Sequence, residues 1–198
     1  MGRRVMGAAL LAGGAFFILG GCARDPGAGA WPPPARGQET RGPVRNGTVI
    51  PGVPFLPQEE DSCGASSLAM LLRFYGGEAR TGEIVRETGT AGLRGPLITD
   101  LAEAARRRGF EAEVVDLDLE GLRERISEGI PVILLVDLGA WAVSRPHYLL
   151  VYGILPDGVV AHSGREAGKR IPYATLDRQW KSMGYLAIVA GPRAGRTP

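Results

Sequence analysis

The stretch CGASSLAMLLRFY, Cys63 to Tyr75, is small or apolar around nearly the whole of a helical surface. At 3.6 residues per turn, Leu68, Met70, Leu71, Leu72, Phe74 and Tyr75 do not share one stripe, so this helix has to be enclosed by other elements. Gly76-Gly77 ends it. The helix also opens on a cysteine, behind the polar, turn-prone run Gln58-Glu59-Glu60-Asp61-Ser62. A thiol on the first turn of a helix feels the partial positive charge of the unpaired amides, which favours thiolate over thiol. That is the physical setting of a nucleophile.

The enclosing elements can be read along the chain. Thr81 is expected to cap a short helix closed by Gly89, and Pro96 to open another, with Leu97, Leu101, Ala104 and Ala105 on one face. Arg106-Arg107-Arg108-Gly109 ends that helix with the cations its dipole prefers. Phe110 to Val115 reads as a strand, and Leu119 to Glu128 as an amphipathic helix stopped by Gly129. Pro131 to Val136 and Tyr148 to Ile154 are continuous apolar strands. Val159 to His162 is a third, reached through the hairpin turn Leu155-Pro156-Asp157-Gly158. A helix over Thr175 to Met183 and a strand over Tyr185 to Val189 complete the pattern. Helices first and strands last is an α+β order rather than a doubly wound one. The chain has no internal repeat and no glycine-rich phosphate loop.

The two ends are of another kind. Arg3 and Arg4 precede an apolar run from Leu10 to Leu19, which is too short for a comfortable membrane span. Leu19-Gly20-Gly21-Cys22 resembles a bacterial lipobox. That resemblance implies a lipoprotein signal peptide over residues 1–21, cleavage before Cys22 and acylation of its sulfur. Ala23 then implies sorting to the outer membrane, facing the periplasm. Residues 22–47 are rich in Gly, Pro, Ala and Arg and read as a tether, stiff at Trp31-Pro32-Pro33-Pro34. Residues 48–190 are expected to form the domain, enough for one proper core, and 191–198 a disordered tail.

The net charge of +2 gives no electrostatic case for nucleic acid, and no basic patch is interleaved with aromatics. Cysteine count says more. Of two cysteines, Cys22 is assigned to lipid, so Cys63 has no partner for an internal disulfide. An oxidisable thiol kept outside the cytoplasm is costly unless it is used.

A thiol hydrolase needs a base beside the nucleophile, a donor for the oxyanion and a group that orients the base. His147, one of two histidines, opens an apolar strand, where its ring would face a cleft. Gln58, five residues before Cys63, can offer a side-chain amide to the oxyanion beside the Cys63 backbone amide. The bland alternatives are a buried cysteine serving as a small hydrophobe and a structural histidine at a strand end. Cysteine on a helix followed by histidine on a later strand favours catalysis. In that reading, Cys63 and His147 form a thiolate–imidazolium pair. Two histidines without metal-ligand spacing give no case for zinc or any other metal, and no cofactor is expected.

The run from Val53 to Gly76, Val-Pro-Phe-Leu-Pro-Gln-x4-Cys-Gly-Ala-x2-Leu-Ala-Met-Leu-Leu-x-Phe-Tyr-Gly, resembles the start of the papain-like double-glycine peptidases, family 39 of the cysteine peptidases. Arg106-Arg107-Arg108-Gly109-Phe110, Gly129-Ile130-Pro131-Val132-Ile133, His147-Tyr148 and Trp180 extend the similarity over the whole domain. The resemblance implies a papain-like α+β fold, with a buried Cys-bearing helix packed on a C-terminal antiparallel sheet. It implies Cys63 as nucleophile, His147 as base and then acid, and Gln58 in the oxyanion hole. The substrate it implies is a peptide or protein, cut after Gly-Gly in the best-known members, with the enzyme expected as a monomer.

That family usually carries an orienting Asp, followed by Pro, after the strand next to the catalytic histidine. Here the stretch reads Val160-Ala161-His162-Ser163-Gly164. His162 is expected to take the place of the acid, with Ser163 a further possible acceptor and Asp137 and Asp157 the nearest carboxylates in sequence. The order Cys63, His147, His162 is also similar to the Cys-His-His site of NlpC/P60 peptidoglycan endopeptidases, which gives a second reading. A third is a tethered binding module that kept the fold and lost turnover.

Overall fold

The computed structural model describes residues 47–57, 62–89, 95–140 and 143–193. The expected signal peptide, Cys22, nearly all of the expected tether, Gln58 and residues 194–198 lie outside the described residues.

Thr48–Val49 form a short strand, β1, and Cys63–Phe74 form the first helix, α1. Every residue of α1 from Gly64 to Leu72 is buried, as its all-round apolar surface requires. Gly76 follows at φ 82°, the left-handed geometry that ends a helix and that a side chain would resist. Thr81–Thr88 is α2, with Arg80 rather than Thr81 at its N-cap. Ile98–Arg107 is α3, which buries Leu101, Ala104 and Ala105 but leaves Leu97 exposed before its first turn. Arg108, just beyond α3, clamps the end of α2 through two bonds to Glu87, at 2.7 and 2.8 Å.

The rest of the chain is a sheet with two more helices. Phe110–Asp116 is β2, Leu119–Ser127 is α4 and Val132–Asp137 is β3. Pro146–Ile154 is β4, Gly158–Ser163 is β5, Glu166–Pro172 is β6, Tyr173–Lys181 is α5 and Leu186–Pro192 is β7. Seven strands among the described residues make one antiparallel sheet, in the order β2-β7-β3-β4-β5-β6, with β1 also paired to β4. Two features differ from expectation. β6 was not legible, because Glu166-Ala167-Gly168-Lys169-Arg170 carries no apolar alternation. β7 continues to Pro192, two residues past the expected domain end, because β2 is there to pair with it: Phe110 lies opposite Pro192.

The sheet is buried on both faces. Helices α1, α2 and α3 pack with Ile133, Tyr148, Leu150 and Ile188 on one side. On the other, Leu122 and Ile126 of α4 and Leu176 and Trp180 of α5 cover Val132, Leu134, Leu149 and Val151. Alternate residues of β3 and β4 thus enter different cores, which explains why these antiparallel strands read as unbroken apolar runs. Each fully buried Leu or Ile contributes about 1.5–3 kcal/mol by leaving water. The α+β expectation holds, with the added finding that helices line both faces.

Candidate active site

The start of α1 is held against the start of β4. Ser62 is the N-cap of α1, and its carbonyl accepts the Ser66 amide at 2.8 Å. Cys63 follows as the first helical residue, half-buried and in no disulfide among the described residues. Gly64 is what permits close approach: a Cβ there would stand 2.8 Å from Leu101 Cδ1, 2.8 Å from Pro96 Cγ and 3.0 Å from Tyr148 Cδ2. The Tyr148 hydroxyl donates to the Pro96 carbonyl at 3.0 Å, fixing the turn before α3 beside the same seam. Burial pushes the Tyr148 phenol well above its ordinary range, and the charges of Cys63 and Asp100 push it further in the same direction. It stays a neutral donor, close enough to Cys63 to sense its charge.

His147 is the residue before Tyr148, so β4 delivers it to the end of the sheet where α1 begins. Its ring is half-buried, and Nε2 lies 3.0 Å from Ser163 Oγ on β5. Burial pushes the imidazole down to about 4, helped by the cations of Arg145 and Lys169. A neutral imidazole with Nε2 engaged by a hydroxyl has Nδ1 left to accept a proton.

His162 does not take the orienting position that the sequence suggested. Its ring is 4% exposed and faces away from His147. Nε2 lies 3.3 Å from the Val53 carbonyl, Nδ1 accepts the Gly168 amide at 3.3 Å, and the ring packs between Phe55 and Tyr152. Both nitrogens are committed to the backbone, which leaves none for a Cys-His-His site. Burial pushes this imidazole down as well, against the raising effect of the bond to Val53.

A bulge explains the exchange of His162 for Ser163. Near the turn, Ile154 pairs with Val159 and Gly153 with Val160. Beyond the irregularity between Val151 and Gly153, Val151 pairs with Ala161 and Leu150 with His162. A one-residue slip flips the faces of every later residue. With the unshifted register His162 would share a face with His147. With the shifted one Ser163 does, diagonally across from it. Hairpin sequence alone carries no sign of that bulge.

Of the two carboxylates nearest in sequence, Asp137 is engaged by its own hairpin and Asp157 lies in the turn at the other end of β4. Asp137 accepts the amides of Gly139 and Arg145, each at 2.7 Å, and the Ser144 hydroxyl at 2.8 Å. Those bonds hold its carboxyl below the usual range. Asp157 lies in the β5 turn, where its carbonyl accepts the Tyr173 amide. A recess of about 460 Å³ lined by Asp116, Leu117, Asp118, Gly184 and Tyr185 shares no residue with this site.

The model of the Peptidase C39 family matches residues 54–193, most of the chain and all of the site described. The chain belongs to the Peptidase C39 family. It is a cysteine peptidase domain, a hydrolase of peptide bonds, homologous to the peptidase domains of ABC transporters. Among curated proteins, the pediocin PA-1 transport/processing ATP-binding protein PedD of Pediococcus acidilactici is 22% identical over 142 residues. That match takes in 71% of this chain and 18% of PedD, so the chain spans under a fifth of its relative. Among solved structures, a C39-like peptidase from Bacillus anthracis aligns with TM-score 0.61 and 19% identity, covering 74% of this chain and 98% of that one. The peptidase domain of Streptococcus ComA, a bifunctional ABC transporter, aligns at 0.58 with 21% identity, over 72% of this chain and 100% of that domain. A double glycine motif protease from an AMS/PCAT transporter, solved with its leader peptide, aligns at 0.57 with 22% identity, over 74% and 99%. At these identities the structures bear on the fold alone, and the α+β architecture is theirs. Membership in this family sets aside the NlpC/P60 reading.

Proposed function

We propose that this chain is a lipid-anchored peptidase acting outside the cytoplasm, in which Cys63 is the nucleophile and His147 the proton carrier. The observation that carries the catalytic part is the seam at Gly64 and Tyr148, which brings the N-terminus of α1 to the start of β4. His147 takes the proton of Cys63 Sγ as the sulfur attacks the peptide carbonyl carbon. The oxygen becomes an oxyanion, received by the Cys63 backbone amide and the side-chain amide of Gln58. His147 then returns the proton to the departing amine nitrogen as the C–N bond breaks. Water attacks the thioester, His147 takes its proton, and the carboxylic acid leaves as the thiol is restored. The substrate is a peptide cut after a small residue pair such as Gly-Gly, a reading supported by the leader-peptide complex of the AMS/PCAT protease. Anchoring rests on the lipobox-like Leu19-Gly20-Gly21-Cys22 and the tether that follows.

Peptides bearing one Gly-Gly pair, incubated with the purified full chain, should be cut after the second glycine, and Cys63→Ala should abolish cutting. Cleavage that survives Cys63→Ala sinks the assignment of the nucleophile. Labelled palmitate should enter the wild type in a bacterial host and not Cys22→Ser; equal incorporation would refute the anchor.

A further inference from the structure

Resting on that catalytic reading, we propose that Ser163 is the positioning residue of His147, holding the ring through Nε2 by a hydroxyl that orients without supplying negative charge. The geometry is specific. Ser163 is 7% exposed, its Oγ is 3.0 Å from His147 Nε2, and the β4–β5 register places the two side chains on one face. A hydroxyl that accepts from Nε2–H selects the tautomer whose Nδ1 is bare, which is the one able to act as a base. The same hydroxyl can also donate, so it enforces that tautomer less strictly than a carboxylate, which only accepts.

The surroundings do not make up the missing charge. Arg145 before β4 and Lys169 of β6 are the cations that bear on the ring. Lys169 is paired with Glu166 at 2.8 Å, and Asp137 of β3 is held by Gly139, Ser144 and Arg145. His162, next to Ser163 on β5, is bonded to Val53 and Gly168. On the α1 side of this end of the sheet, Cys63 and Asp100 are the charged groups that bear on Tyr148, the neighbour of His147. Among the described residues no carboxylate bonds the His147 ring. Among the described residues the partner of His147 Nε2 is therefore a neutral acceptor, and a carboxylate at position 163 should raise the proton affinity of the ring.

The test uses the full chain with Ser163→Ala, Ser163→Thr and Ser163→Asp. Iodoacetamide alkylation of Cys63 is followed by mass spectrometry of its peptide, from about pH 4 to about pH 9. Ser163→Asp should move the rise in alkylation to lower pH and speed labelling in weakly acidic buffer by about tenfold, the effect of one pKa unit. Ser163→Thr, which keeps the hydroxyl, should follow the wild type. On the Gly-Gly peptides, Ser163→Ala should lower kcat by about tenfold to a hundredfold with KM little changed. An alkylation profile unmoved by Ser163→Asp, or a Ser163→Ala variant with wild-type kcat, overturns the proposal. Alkylation needs no peptide, so failure of the Ser163 role and failure of the peptidase reading are separately visible.

Discussion

Gly64 and Tyr148 meet so closely that a Cβ on Gly64 would stand 3.0 Å from Tyr148 Cδ2, and closer still to Leu101 and Pro96. Those contacts set how near the helix bearing Cys63 comes to the strand bearing His147. Gly64→Ala should push the start of α1 outward. The neighbours are side-chain ends that can yield in part, so the stability loss should be about 1–3 kcal/mol, as for other overpacked cores. Turnover should fall further than that figure explains, because misplacing a nucleophile by about 1 Å can lower the rate about a hundredfold. Urea unfolding and peptide cleavage measured on the same preparation separate the two effects. Wild-type turnover in Gly64→Ala would mean that this seam does not set the catalytic distance.

His162 joins segments far apart in sequence, Val53 on one side and Gly168 on the other. Removing the ring should therefore act on folding. His162→Ala loses two backbone partners and the packing of Phe55 and Tyr152, and should lower stability by about 2–3 kcal/mol. His162→Phe keeps the ring contacts and should recover part of that. Turnover per folded molecule should stay within a few-fold of wild type in His162→Phe. A loss comparable to that of His147→Ala would return His162 to the catalytic site.

Asp137 organises the β3–β4 hairpin that ends at His147. One carboxylate oxygen accepts both the Gly139 and Arg145 amides, and the other accepts Ser144. Asp137→Ala should lower stability by about 1 kcal/mol and speed hydrogen exchange at the Gly139 and Arg145 amides. Asp137→Asn keeps a carbonyl oxygen for those amides and should be milder. Unchanged exchange at both positions in Asp137→Ala would show that the hairpin holds itself by other means.

Much of this fold was legible because its signals are local. The all-round apolar surface of α1, the runs at Val132 and Tyr148 and the turn at Asp157-Gly158 each report their own structure. The pairing of His147 with Ser163 is different in kind. It depends on a register shift within β4–β5 that leaves no mark in composition, so residue order pointed to His162, one position away. β6 was missed because its exposed face is polar and its partner β5 supplies the burial, and β7 ran past its expected end because β2 extends beside it. Long-range pairing decided each miss.

Acid should weaken the fold in two separable stages. The folded-state value of His147 is about 4 against an ordinary 6.5, so between those values the unfolded chain binds a proton that the folded one does not. Its contribution is complete above about pH 6.5 and is lost as the pH falls towards about 4. His162, lowered by burial, acts in the same direction as the pH falls below its ordinary value. Glu87 and Asp137 have lowered carboxyl values, so their contribution is present above the ordinary carboxylate range and is lost only below it. Urea midpoints should therefore decline between about pH 7 and about pH 5, before the lowered carboxyls of Glu87 and Asp137 protonate. His162→Phe and His147→Asn should each flatten part of that decline. Arg108→Ala, which removes the main partner of Glu87 and leaves Arg107 at 3.5 Å, should instead change only the stage below about pH 4.5. A wild-type midpoint that stays level down to about pH 5 would show that neither ring is held neutral by burial.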